Sequence, residues 1–255
     1  MSGILFSVDG RIATITLDNP AKLNALTPSM LSELARLCDV IDDDADIVCG
    51  IRAASGVRCF CAGADINAWA DLTPDAFARQ WVRGGHRIFD RLARLAKPTI
   101  AAIGGNAFGG GLELAACCDI RVAAPSVQFA LPETSVGIVP GWSGTQRLYR
   151  LLPEPVLKEI ALFGRRLSAD RALALGFVAE LAEDPRSAAQ VIAARLLETS
   201  PRATEVAKHM IHAAAGEDAG AMIETLGSGM TAATADKAEG VAAFRAKRKP
   251  EFPGA

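Results

Sequence analysis

The chain has 255 residues, with 27 Lys and Arg against 29 Asp and Glu, and a formal net charge of −2. That length supports one large domain, or a domain with a smaller appendage, around an ample core. Near-neutral charge with a pI of about 6.0 excludes the broad basic face of a general nucleic-acid binder.

Ile4–Val8 and Ile12–Leu17, separated by Asp9-Gly10, read as a β-hairpin. No basic segment followed by an apolar run precedes them, so the reading is a chain without a signal peptide. From Pro28 to about Asp43 the apolar residues Met30, Leu31, Leu34, Leu37, Cys38 and Ile41 fall at helical spacing, with Thr27 as N-cap and Pro28 at the first helical position. Ile47–Arg52 is a short strand, followed by a polar, glycine-bearing loop through Asp65. A helix from about Pro74 to Leu95 ends at Lys97-Pro98. Thr99–Ile103 is a strand, Gly109–Gly111 open a helix running to Cys118, and Ile120–Ala123 is another strand. This alternation indicates parallel β-α units.

After about Leu151 the chain reads as almost wholly helical, with caps at Ser168 and Ser200-Pro201. The expected organisation is an α/β core over residues 1–195 and a helical region over 196–255. A mean hydropathy of +0.22 suggests that subunit interfaces bury further apolar surface.

Thr99–Cys118 carries a single charge, Glu113, and has the hydropathy of a membrane span. Its glycines and alanines, and a carboxylate deep in hydrocarbon, argue instead for a buried strand, a glycine turn and a buried helix. The six cysteines lack paired C-x-x-C spacing and there are only three histidines, so buried free thiols in a reducing, cytoplasmic setting are expected, with no metal site.

Two segments look built to present backbone rather than side chain: Phe60–Ile66, and Phe108–Leu114 with three consecutive glycines where a helix begins. Glycine lets a ligand approach the main chain, and the first amides of a helix are donors without partners. Together the segments could aim two N–H groups at one oxyanion; alternatively, the glycines serve only tight strand–helix packing. No dinucleotide fingerprint or phosphate loop is present. Glu113 and Glu133 both sit in apolar settings, which fits an acid/base pair, a buried salt bridge or capping carboxylates.

The segments F-C-A-G-A-D-I (60–66), K-P-T-I-A-A-I-G-G-N-A-F-G-G-G-L-E-L-A-A-C-C-D-I (97–120) and L-P-E-T-S-V-G-I-V-P-G-W-S-G-T-Q-R-L (131–148) resemble, in order and spacing, the motifs of the crotonase (enoyl-CoA hydratase/isomerase) superfamily. The similarity extends to A-A-F-R-A-K-R-K-P-E-F near the end and so covers essentially the whole chain. It implies a β-β-α spiral core with a helical C-terminal trimerisation region.

By position, the resemblance assigns Ala64 and Gly110 as the backbone amides holding a thioester carbonyl. Glu113 would activate water, Glu133 would deliver a proton to the α-carbon, and Gly141, at the start of the next helix, would orient the second carboxyl or its water. Lys22, Leu23, Ala25, Ala62, Asp65 and Ile66 would lie along the CoA arm, and Phe244 and Lys247 would reach the CoA of a neighbouring subunit.

Both glutamates together favour hydration of a 2-enoyl-CoA over Δ3,Δ2-isomerisation, which can use Glu133 alone. RNA-binding or scaffolding relatives are the remaining readings. The implied partners are an acyl-CoA substrate and copies of the same chain in a trimer or hexamer, with no nucleic acid, membrane or cofactor beyond the CoA of the substrate. Gly104-Gly105-Asn106 and Trp142 depart from the family pattern; Trp142 stands where a small residue is usual and bears on the shape of the acyl pocket. Trp69, Phe77 and Trp81 read as core.

Overall fold

The computed structural model describes residues 3–56, 58–217 and 219–255. Strands β1 (Ile4–Asp9) and β2 (Ile12–Leu17) pair antiparallel from Ile4↔Leu17 to Asp9↔Ile12. Helix α1 (Pro28–Asp43) follows, and Thr27 Oγ1 accepts the Met30 amide at 3.3 Å, the cap expected of that residue. Strand β3 (Cys49–Ala54) begins two residues later than its apolar run, because the Ile47 amide is taken by the Asp44 carbonyl in the turn after α1.

The stretch expected to be loop instead contains β4 (Cys59–Cys61). The long helix expected over residues 74–95 is three pieces in register: α2 (Pro74–Ala76), a π-helical stretch over Phe77–Val82, and α3 (Arg83–Ala93). Then come β5 (Thr99–Ile103), β6 (Asn106–Phe108), α4 (Gly110–Ala116), β7 (Ile120–Ala123) and β8 (Gln128–Ala130). Each turn of this spiral lays a longer strand in one sheet and a short strand in a second before a helix returns the chain. β5 and β7 extend the first sheet in parallel beside β3, while β4, β6 and β8 form the second.

Beyond β8 lie α5 (Gly144–Leu151), α6 (Glu154–Leu162), β9 (Leu167–Ser168), α7 (Ala169–Ala174), β10 (Glu180–Leu181), α8 (Pro185–Ala194) and α9 (Pro201–Ala214). Two short strands thus interrupt a region expected to be helical: β9 closes the second sheet and β10 the first.

The parallel part of the first sheet, β2, β3, β5 and β7, is buried on both faces, as parallel sheets require, while the antiparallel edge strand β1 is mostly exposed. Ile51, Ile100, Ala102 and Val122 face a cluster that includes Ala189 and Ala193 of α8. Ile15, Leu17, Ala101 and Ile103 belong to the larger core with Leu34, Leu37 and Ile41 of α1. All six cysteines are free and buried.

The chain divides into two compact units, Met1–Thr204 and Glu205–Ala255, against the sequence-based division after residue 195. The second unit contains the rest of α9 with α10 (Ala219–Ala232) and α11 (Ala235–Ala246). Its tail is tied back on α11 by Arg248–Glu239 at 2.6 Å and by the Gly254 amide on Asp236 Oδ1 at 2.8 Å. Among the described residues, no helix is long and apolar enough to cross a membrane.

Candidate active site

The three glycines at the start of α4 do three different things. Gly109 has φ +51° with ψ −126°, a combination that residues with a Cβ avoid. An added methyl at Gly111 would stand 2.1 Å from the Cys61 carbonyl oxygen, so this glycine lets the first turn of α4 press on β4. Gly110, between them, brings its nitrogen up against the loop after β4. A methyl on Gly110 would lie 3.5 Å from Ala64 N, and one on Gly63 would lie 3.2 Å from Gly110 N. The packing reading is therefore realised at Gly111, while Gly110 stands beside Ala64. Among the described residues neither the Ala64 nor the Gly110 amide has a backbone or side-chain acceptor.

Glu113, in the first turn of α4, is 3% exposed. Its Oε1 accepts the Trp142 amide at 2.9 Å and the Gly144 amide at 2.8 Å, so it also caps α5. Burial raises its pKa above the ordinary value, while those two amides and the nearby Arg147 guanidinium pull it back. The amides that fix a carboxyl here are thus those of Trp142 and Gly144. Gly141, expected to start the helix, precedes it by three residues and lines the cavity wall.

Glu133 follows β8 and is 8% exposed, with no hydrogen-bond partner for Oε2 among the described residues. A methyl at Gly109 would meet its Oε1 at 2.8 Å, which fixes the carboxyl beside the glycine turn. Burial, and then the negative charge of Glu113, push its pKa up to about 7. It is in no salt bridge among the described residues. Two buried carboxyls thus share one site in unlike surroundings: Glu113 is held by the amides of a neighbouring turn, and Glu133 has one oxygen unmet.

Both open on a cavity of about 140 Å³, lined also by Ala62, Ala64, Ile66, Gly110, Gly141 and Trp142. Trp69, Phe77 and Trp81 line it too, so these aromatics form a wall as well as core. The π-helical stretch contributes Phe77, Trp81 and Val82. Trp142 is 3% exposed, its ring 5.3 Å from Trp81 and 5.0 Å from Phe89, and its Nε1 donates to the Trp81 carbonyl at 3.3 Å. It fills space that a small residue would leave open beside Gly110. Ser135, Val136, Ile138 and Val139 complete the lining. Ser135 and Val136 lie in a single 3-10 turn and Ile138 and Val139 in the loop after it, a segment too short for periodicity to mark them.

Residues 8–255 match the enoyl-CoA hydratase/isomerase family. The chain belongs to this family. A short-chain-enoyl-CoA hydratase of Clostridium acetobutylicum is 32% identical over 255 residues, covering 98% of this chain and 97% of its own. The crotonyl-CoA hydratase of Syntrophomonas wolfei is 35% identical, covering 98% and 97%. The crystal structure of an enoyl-CoA hydratase from Bacillus anthracis matches with a TM-score of 0.81 at 32% identity, over 99% of this chain and 100% of that one.

In this member of the family the residues assigned to the CoA arm fall in two groups. Lys22, Leu23 and Ala25 run beside the β4 loop: the Ala62 amide donates to the Leu23 carbonyl at 3.0 Å and the Leu26 amide to the Gly63 carbonyl at 2.7 Å. Lys22 Nζ is paired with Asp65 Oδ2 at 2.9 Å, and this partner holds the Asp65 carboxyl below its usual range. Leu23 and Ile66 are exposed at 38% and 50%, presenting apolar surface at the rim. Phe244 and Lys247 belong to the Glu205–Ala255 unit, where Phe244 is 85% exposed and Lys247 caps α11 in a left-handed conformation. Asn106, in the atypical turn, accepts the Gln128 amide on Oδ1 at 2.9 Å and so ties β6 to β8.

Proposed function

We propose that this protein is an enoyl-CoA hydratase, adding water syn across the double bond of a 2-enoyl thioester. The observation that carries this reading is the pair of unlike buried glutamates on one cavity, beside two amides without acceptors. The thioester carbonyl accepts from the Ala64 and Gly110 amides, which stabilise the negative charge that develops on its oxygen; such donors are worth about 10²–10³ each in rate. Glu113, with Oε1 fixed by two amides, holds a water on its remaining lone pairs and takes its proton as oxygen bonds to the β-carbon. Glu133, protonated up to about pH 7, gives its proton to the α-carbon of the resulting enolate. One proton passes from Glu113 to Glu133 to reset the pair, so a single water supplies both new groups.

CoA enters as part of the substrate and no other cofactor has a role in these steps. Along the CoA arm we assign Lys22, Leu23, Ala25, Ala62, Asp65 and Ile66, and from a neighbouring subunit Phe244 and Lys247. A trimer, or two trimers stacked, accounts for the exposure of Ile223 at 72%, Met230 at 75% and Phe244 at 85%. The buried thiols suit the cytoplasm: burial pushes Cys61 and Cys117 up to about 12, so neither is a ready nucleophile.

The test is loss of the conjugated thioester absorbance of crotonyl-CoA, run beside E113Q and E133Q. Rapid loss in the wild type, with each variant slower by at least about 10²-fold, is expected. A wild type that instead moves the double bond of a 3-enoyl-CoA, and leaves crotonyl-CoA untouched, would replace hydration by isomerisation.

A further inference from the structure

The turn that fixes Glu113 contains an unfavourable residue. Ser143 sits between the two amide donors with φ +73° and ψ +16°, the left-handed region, and it carries a Cβ. A side chain there costs about a factor of ten in the population of the turn, a cost that glycine avoids. Ser143 is 6% exposed, and among the described residues its hydroxyl meets the side chain of His86 of α3, with Nδ1 at 2.9 Å.

Behind His86 the network continues. Nε2 lies 3.4 Å from Asp90 Oδ2, and Asp90 Oδ1 takes Arg147 Nη2 at 2.6 Å. Ser143 Oγ lies 2.9 Å from Nδ1 and 3.3 Å from Nε2, and in the tautomer with its hydrogen on Nε2 the nearer nitrogen, Nδ1, accepts from the hydroxyl. The same face of α3 grips the turn on its other side. A methyl at Gly85 would stand 2.1 Å from Trp142 Nε1, and Phe89 lies against the same indole.

We propose that His86 is a positioning residue for the hydration reaction: by holding the Ser143 hydroxyl it keeps the left-handed turn whose Trp142 and Gly144 amides aim Glu113. The inference rests on the hydratase reading for its kinetic consequence and on geometry alone for its structural one. His86 touches no reacting atom. It acts through the turn, and the turn acts through Glu113.

The experiment compares wild type, H86A, S143G and the double variant in the full-length protein, reading amide hydrogen exchange at Trp142 and Gly144 together with kcat and KM on crotonyl-CoA. H86A is expected to speed exchange at both amides and to lower kcat, each about tenfold, with KM within about twofold. On the S143G background, where the backbone adopts the turn unaided, H86A is expected to change either quantity by less than about twofold. H86N, which retains an acceptor for the hydroxyl, should recover much of the loss. Equal effects of H86A on both backgrounds, or unchanged exchange at the two amides, would overturn the proposal. A wild type inert on every enoyl thioester would remove the hydratase reading, and the exchange measurements would still decide the role of His86.

Discussion

Gly144 gives its amide to Glu113 Oε1 at 2.8 Å, and a methyl group added to the same residue would stand 2.6 Å from that oxygen. The backbone that fixes the carboxylate is therefore also the surface against which it is pressed. G144A is expected to displace Glu113 by a fraction of an ångström to an ångström and to lower kcat about 10²-fold. The fold should persist, because the obstructing atom belongs to a side chain. Steady-state kinetics beside a thermal melt separate these two outcomes.

The pH dependence follows from the unlike environments of the two glutamates. Hydration needs Glu113 ionised and Glu133 protonated, so the pair must hold one proton. Glu133 lies at about 7, and Glu113 lies above its ordinary 4.5. The value of kcat/KM should therefore rise with pH through the Glu113 ionisation and fall above about pH 7 as Glu133 loses its proton. Dehydration of the 3-hydroxyacyl-CoA needs the pair in the same total protonation state, and should show the same bell. A profile that stays flat from pH 7 to 9 in both directions would remove Glu133 as the acid.

Glu133 also imposes a stability penalty that depends on pH. Its pKa is about 7 folded and 4.5 as the ordinary value, so the folded state favours the neutral acid. Its contribution is fully present below about pH 4.5 and is lost as pH rises through 7, by about 3 kcal/mol at most. E133Q stays neutral throughout. Its melting temperature should match that of the wild type near pH 4.5 and exceed it by on the order of 5 °C at pH 8. Melts at the two pH values check the sign.

Trp142 sets the size of the cavity beside Gly110, since a methyl on that glycine would lie 2.9 Å from its Cζ3. W142A removes this wall while leaving the backbone amide that Glu113 needs. Turnover of crotonyl-CoA should fall and the preferred acyl chain should lengthen, at a cost of about 3–5 kcal/mol in stability. Relative kcat/KM across straight-chain enoyl-CoA substrates measures the change; an unaltered preference would place the acyl chain away from the indole.

Lys97 is 3% exposed and donates to the Ile41 carbonyl at 2.5 Å and to the Asp44 carbonyl, at the negative end of α1. K97M keeps the stem and removes the donors, leaving the buried Ile41 carbonyl without its lysine. A loss of about 3 kcal/mol in urea unfolding is expected, with kcat of the folded fraction unchanged.

The alternation of Ile12–Leu17, the cap and spacing of Pro28–Asp43, and the apolar runs at Thr99–Ile103 and Ile120–Ala123 determined those elements from sequence alone, because each is long enough for a period to register. Cys59–Cys61, Asn106–Phe108 and Gln128–Ala130 are three residues each, too short for any period. They became strands only by pairing with one another. The glutamates and the glycine turns announced themselves as charge in apolar surroundings and as backbone without side chains, and the motifs gave them candidate roles. What tertiary structure alone decided is that Trp142 and Gly144 point their amides at Glu113, and that His86 meets Ser143 from 57 residues away. Composition and spacing record which residues are apolar and how they repeat. Neither records which backbone donor faces which carboxylate, because that depends on how a helix and a loop remote in sequence come to rest against each other.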